Sequence, residues 1–245
     1  MFLYLRRSVT PFVILFEGRT GSSYLVTSLS KHPNVRAGWE ELVQLKPLGH
    51  EAQTEWTRKA LTAPLIGRFG AVGFKTKLRD IAAPMQFSQF LRERNVKIIH
   101  MQRRNRVKVA ISEINCNVLH ARTGNYNVYK KDDRLPPIRI GVPEFMSTLA
   151  MREQLDSDLK RFVDGLYLPT LDVYYEDLLL DEPGTLQTIY EYIGVAPRMT
   201  KGSSYKNTDD DLRNALLNFE ELKAAVSGTP YEEMFDEVLV NKPLY

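Results

Sequence analysis

The run Phe12-Val13-Ile14-Leu15-Phe16, which passes without a break into Glu17-Gly18-Arg19-Thr20-Gly21-Ser22-Ser23, constrains this chain more than any other feature. Five consecutive apolar residues suit a strand covered on both faces, and such strands belong to parallel sheets packed between helices. The next seven residues are rich in turn formers. Tyr24, Leu25 and Leu29 then space out as a helix that stops before Pro33. Strand, small-residue loop and helix form the opening unit of an α/β fold.

The pattern recurs along the chain. Further strands are expected at Ala71–Lys75, Val96–Met101 and Leu171–Tyr175, and helices at Met85–Glu93, Val107–Leu119, Val142–Gly165, Leu186–Ile193 and Asp210–Val226. Strands separated by helices imply right-handed crossovers. The expectation is therefore a three-layer α/β sandwich around a central parallel sheet. At 245 residues, 43% hydrophobic and 26% charged, the chain suits one large core, and no composition shift marks a boundary, so 1–245 reads as a single domain. Thr123–Pro137 is polar, carries turn formers and ends in Pro-Pro, which makes it a loop or lid.

Several classes of function fall away on composition. A net charge of +3 suits a pocket for an anionic small molecule better than a surface for nucleic acid. Arg6 and Arg7 interrupt the apolar start of the chain, and the apolar run after them is too short for a membrane span, so no span is expected and the chain reads as cytoplasmic. The single cysteine, Cys116, excludes an internal disulfide, fits a reducing compartment and reads as a packed thiol. His32, His50, His100 and His120 are scattered without metal-ligand spacing, and no catalytic metal is expected.

A loop that opens a helix after a buried strand presents free N–H groups and the positive end of the helix dipole, which suits an anion. Gly18 and Gly21 permit close approach, Arg19 brings a fixed charge, and Ser22 and Ser23 bring hydroxyl donors. A nucleoside-triphosphate loop would need Gly-x4-Gly-Lys-Ser/Thr, but here position 23 is Ser and position 24 is Tyr. A second basic corner comes after the strand Lys97–Met101, at Arg103 and Arg104, with Ser112 eight residues beyond Arg104 and two turns into the next helix. Arg104 and Ser112 can share one phosphate if the strand end folds back over that helix.

These residues carry a family resemblance. Arg19-Thr20-Gly21-Ser22-Ser23-Tyr24 resembles the 5′-phosphosulfate loop of sulfotransferases that use 3′-phosphoadenosine 5′-phosphosulfate (PAPS). Arg104 through Ser112 resembles the family's 3′-phosphate motif. The likeness continues through Val173–Leu179, Pro183, Leu186, Ile189 and Ile193-Gly194 to Lys206-Asn207-Thr208 and Asn218–Leu222, so it spans roughly residues 12–222. It implies the sulfotransferase fold, related to the P-loop kinases, PAPS as co-substrate and adenosine 3′,5′-bisphosphate as product, with no metal. Lys206, in the late basic segment, is then a phosphate contact.

The chemistry implied is transfer of a sulfuryl group to an acceptor hydroxyl, which needs a base, cations on the transferring group and in-line geometry. The resemblance gives Arg19, in place of the family's usual lysine, the charge on the leaving 5′-phosphate. Lys77 stands where the cytosolic sulfotransferases have a histidine base, and a lysine at its ordinary pKa cannot accept a proton. The carbohydrate-type enzymes use a glutamate shortly after the first helix, and Trp39-Glu40-Glu41-Leu42 occupies that place. Glu40 is the expected base, with Glu41 or Lys77 as alternatives for handling the acceptor proton, and Lys75 stabilises the sulfonate. The acceptor is a small molecule or glycan, leaning towards a carbohydrate or glycolipid, with 116–140, including Tyr126 and Tyr129, shaping its pocket. Two other classes stay open: a Mg²⁺-dependent phosphotransferase of related fold, and a non-catalytic polyanion-binding protein using the same arginines.

Overall fold

The computed structural model describes residues 9–64, 68–126, 128, 134–203 and 208–239. Five parallel strands form one sheet in the order β2-β3-β1-β4-β5, where β1 is Thr10–Phe16, β2 Val35–Gly38, β3 Ala71–Thr76, β4 Lys97–Gln102 and β5 Thr170–Tyr174. The expected α/β sandwich with a central parallel sheet is the observed architecture.

The unbroken apolar run earns β1 the central place. Phe12, Ile14 and Phe16 pack under α1 (Ser22–Ser30) and α8 (Glu182–Ile193), against Leu25, Leu29, Ile189 and Ile193. The short helix α7 (Tyr175–Leu180) joins β5 to α8 and adds Leu178 to the same core. Val13 and Leu15 face the opposite layer, where α2 (Glu41–Leu45), α3 (Gly49–Ala60), α4 (Pro84–Glu93) and α6 (Val142–Asp164) supply Leu42, Ala60, Phe87, Leu91, Leu159 and Val163. Alternate residues of one strand are thus buried in two cores, as the period of two requires. A third cluster joins α5 (Arg106–Thr123) and α6 to α9 (Phe219–Ala224) and α10 (Glu232–Asp236).

Two local expectations are corrected. The strand β2 is absent from the sequence-based set, because a four-residue strand at a sheet edge with only Val35 buried carries no apolar run. The segment Asp210–Val226 is not one helix: it is a single 3₁₀ turn at Leu212–Asn214 followed by α9. Tertiary pairing takes the intervening backbone groups. Ile138 N–H donates to Ala215 O and Leu217 N–H to Ile138 O, while the Asn218 side chain bonds both Ile140 N–H and Ile140 O.

Strand order decides where a ligand can sit. From β1 the chain moves to β2 and β3 on one side and then to β4 on the other, so β1 stands at the topological switch point. Crevices open there, at the carboxyl ends of the strands. The loop after β1, the end of β3 and the turn after β4 all meet at that edge.

Candidate functional site

The loop after β1 is built around Gly21, which has φ 83°. A Cβ there would lie 2.6 Å from the Tyr175 ring, so both conformation and space require glycine. Gly18 is different, since a Cβ would sit at an ordinary 3.6 Å from Arg152 and Glu113. No side chain caps α1, which leaves the first N–H groups of that helix open towards the crevice. Thr20 does not face a ligand; its Oγ1 donates to Glu17 O at 2.8 Å and closes the turn.

Arg19 has a left-handed φ of 70°, which costs a non-glycine residue about 1 kcal/mol. Its side chain anchors that conformation on α5. Nε donates to Ser112 Oγ at 3.0 Å, and Nη1 reaches Cys116 Sγ at 3.4 Å and Tyr126 O at 3.3 Å. Cys116 is buried, and burial pushes its thiol above the ordinary value. The first loop and the serine of the second motif are therefore joined directly.

Arg104 does not join them. Its guanidinium forms a bidentate pair with Asp177, at 2.6 and 2.8 Å, lies 3.9 Å from the Tyr174 ring centroid and is half exposed. The buried neighbour Arg103 takes the inward place. It stacks over Tyr175 at 4.5 Å, donates from Nη1 to Arg19 O at 3.3 Å, and has no hydrogen-bond partner at Nε among the described residues. Burial lowers the Arg103 guanidinium, Tyr175 and Glu176 oppose that shift, and the Arg19 charge adds to it. Two guanidinium groups with an incompletely bonded nitrogen are a fit for an anion. The sequence holds a signal for Arg103 that motif spacing passes over: it continues the alternation of Ile99 and Met101, whose side chains pack beneath α1. Glu176 supports the turn, accepting from Arg104 N–H at 3.0 Å and Asn105 N–H at 3.2 Å, and Asn105 caps α5 by accepting from Lys108 N–H.

Glu40, Lys75 and Lys77 come together at the end of β3. Lys75 is fully buried, and its Nζ lies 2.9 Å from Glu40 Oε1, 2.9 Å from Ser23 Oγ and 3.4 Å from Ser22 Oγ. Lys77 bonds Glu40 Oε2. Phe16 lies beneath both ammonium groups, at 4.8 and 5.4 Å, and the half-exposed Trp39 ring lies 4.9 Å from Lys75 Nζ. Burial works to raise the Glu40 carboxyl, but Lys75 and Lys77 outweigh it and hold the group below the usual carboxylate range. Burial lowers the Lys75 ammonium despite the raising effect of Glu40. Glu41 is exposed on the first turn of α2 and takes no part in the cluster.

The remaining residues of the expected site are dispersed. Tyr24 donates from its hydroxyl to Glu182 at 2.6 Å, and its ring packs on Gly202, where a Cβ would clash at 2.6 Å. Ser203 N–H donates to Thr27 Oγ1, so the segment ending at Ser203 runs along α1. Lys206 and Tyr129 lie outside the described residues. Tyr126 stacks on His120 at 3.9 Å.

Proteins of similar sequence or shape match nearly the whole chain. Nodulation protein H of Rhizobium tropici is 25% identical over 244 residues, 94% of each chain. The Rhizobium meliloti protein of the same name is 23% identical over 242 residues, 92% of this chain and 95% of the relative. A sulfotransferase from Alicyclobacillus acidocaldarius superposes with a TM-score of 0.51 at 16% identity, covering 93% of this chain and 96% of the other. No family model matches. Among the described residues no helix is long and apolar enough to cross a membrane.

Proposed function

We propose that this chain, whose fold is that of a sulfotransferase, transfers a sulfuryl group from PAPS to an acceptor hydroxyl. The observation that carries the reading is the Lys75 ammonium, which touches the Glu40 carboxylate and the Ser23 hydroxyl at 2.9 Å each. One cation thereby links a candidate base to a loop suited to the leaving anion, and a group in transfer between them lies within its reach.

This placement supports the following chemistry. Glu40 accepts the proton of the acceptor hydroxyl as its oxygen bonds to sulfur. The bond between sulfur and the 5′-phosphate oxygen breaks, and the phosphate leaves with the electron pair. Lys75 offsets charge on the transferring group, while Arg19, Ser22, Ser23 and the open N–H groups of α1 receive the phosphate. The sulfonate draws Lys75 towards itself, which relieves the hold on Glu40 and raises its basicity when the donor is in place. Arg103 and Ser112 bind the 3′-phosphate in this reading, in the role that sequence assigned to Arg104 and Ser112.

A carbohydrate or glycolipid acceptor is favoured by Trp39, whose exposed indole adjoins Glu40 and offers a flat face of the kind that sugars stack on. A cytoplasmic setting is supported by the unpaired Cys116. Calorimetry with adenosine 3′,5′-bisphosphate, AMP and Mg·ATP tests the donor. Metal-independent binding of the bisphosphate, lost in Arg103→Ala, is expected. Preference for Mg·ATP would replace this reading with the phosphotransferase one.

A further inference from the structure

Three successive carbonyls of the loop after β1 are each held by a side chain. Thr20 Oγ1 donates to Glu17 O at 2.8 Å, Arg152 Nη2 to Gly18 O at 2.7 Å, and Arg103 Nη1 to Arg19 O at 3.3 Å. The peptide plane is rigid and trans, so a carbonyl fixed on one side fixes the next residue's N–H on the other. The three contacts together set the directions of the Gly18, Arg19 and Thr20 N–H groups. They also hold Arg19 in its left-handed backbone conformation.

Of the three, Arg152 is the unexpected one. It sits mid-way along α6 and is among the largest fully buried side chains of the protein. Among the described residues its Nε and Nη1 have no hydrogen-bond partner. The nearest carboxylates, Glu113 and Asp156, stand at 4.0 and 3.9 Å, too far to bond it. A buried guanidinium compensated this poorly is a net cost to folding, and a leucine or methionine fills similar volume without that cost. Stability therefore does not account for an arginine here. Its one hydrogen bond among the described residues does, because the acceptor is the carbonyl immediately before Arg19.

We propose that Arg152 is a positioning residue for the donor loop: by fixing the Gly18 carbonyl it aims the Arg19 backbone N–H at the 5′ group of the donor. This rests on the reading of that loop as the 5′-phosphosulfate site. The guanidinium touches no substrate and acts through the peptide it holds. Its effect falls on one end of the nucleotide, because the 3′ end is bound by side chains of the β4 turn and α5.

Wild type, Arg152→Met and Arg152→Lys are titrated with adenosine 3′,5′-bisphosphate and with adenosine 3′-monophosphate. The ratio of the two affinities isolates what the 5′ group contributes. Arg152→Met is expected to reduce that ratio about tenfold or more while leaving the 3′-monophosphate affinity unchanged. Arg152→Lys, which keeps the charge and loses the planar fork, is expected to reduce it at least about threefold. A merely structural arginine would lower the melting temperature, or weaken both nucleotides alike, without moving the ratio. An unchanged ratio in whichever variant folds overturns the proposal. A wild type that does not distinguish the two nucleotides sinks the donor-site reading itself, and this inference with it.

Discussion

Two glutamates mark two regions at the carboxyl edge of the sheet, and burial has opposite outcomes for them. Glu40, in the connection between β2 and α2, lies against Lys75 and Lys77, which hold its carboxyl below the ordinary range against the effect of burial. Glu17, at the end of β1, has one oxygen without a hydrogen-bond partner among the described residues, and Arg79 stands 3.8 Å away. Burial dominates there and pushes the carboxyl up to about 7, against weaker pulls from Arg79 and Arg152. Burial alone thus does not set the charge of a carboxyl; the number of cations within bonding distance does. The region of Glu40 is closed on itself, each lysine with an acid. Around Arg103 and Arg152 the carboxylates Glu176, Glu113 and Asp156 stand at 3.9–4.0 Å, beyond hydrogen-bond distance.

The largest break in that comparison is Glu40→Gln, which is expected to lower turnover by about 10³-fold while adenosine 3′,5′-bisphosphate still binds. Single-turnover assays beside calorimetry check both halves, and unchanged turnover removes Glu40 as the base. Next is Glu17→Gln. The folded value lies above the ordinary 4.5, so the folded protein keeps a proton that the unfolded chain gives up between about pH 4.5 and 7. Stability is lost as pH rises through that window, and the whole penalty applies above it. The glutamine variant is expected to be more stable than wild type by up to about 3 kcal/mol at about pH 8, with the difference gone at about pH 4. Urea melts at the two pH values measure it, and a variant no more stable at the higher pH refutes it.

Arg103→Ala is expected to weaken bisphosphate binding by on the order of 10²-fold, and Arg104→Ala by less than about threefold, because one guanidinium is buried in the crevice and the other is an exposed partner of Asp177. The reverse order would restore Arg104 to the phosphate. The smallest effect sharpens the comparison most. Lys77→Ala removes one of the two cations that depress Glu40 and lets burial count for more. The acid limb of kcat/KM is expected to move to higher pH, and a limb that stays put would mean that Glu40 does not set it.

The strand, loop and helix that open the fold were legible because their signal is local. Phe12–Phe16 names a buried strand, the residues after it can only turn, and the helix that comes next starts uncapped. Lys75 and Glu40 were legible through family likeness, although 35 positions of chain separate them. The choice between Arg103 and Arg104 was not legible from motif spacing, which points to Arg104. The alternation of β4 carried through its last residue points to Arg103 instead. Asp210–Val226 misled for the opposite reason, since its helical pattern is real but its backbone groups pair with Ile138 and Ile140.

Sequence by itself determined four of the five strands, the parallel sheet and the small-residue loop after β1, because each depends on patterns a few residues long. Tertiary structure decided which cation faces which anion. That Lys75 bridges Glu40 and Ser23, that Arg19 reaches Ser112, and that Arg152 on α6 holds the Gly18 carbonyl are consequences of β1 standing between β3 and β4. The physical reason is range. Hydrogen bonds and ion pairs act over a few ångströms, and only the packed fold brings residues from separate stretches of chain within that distance.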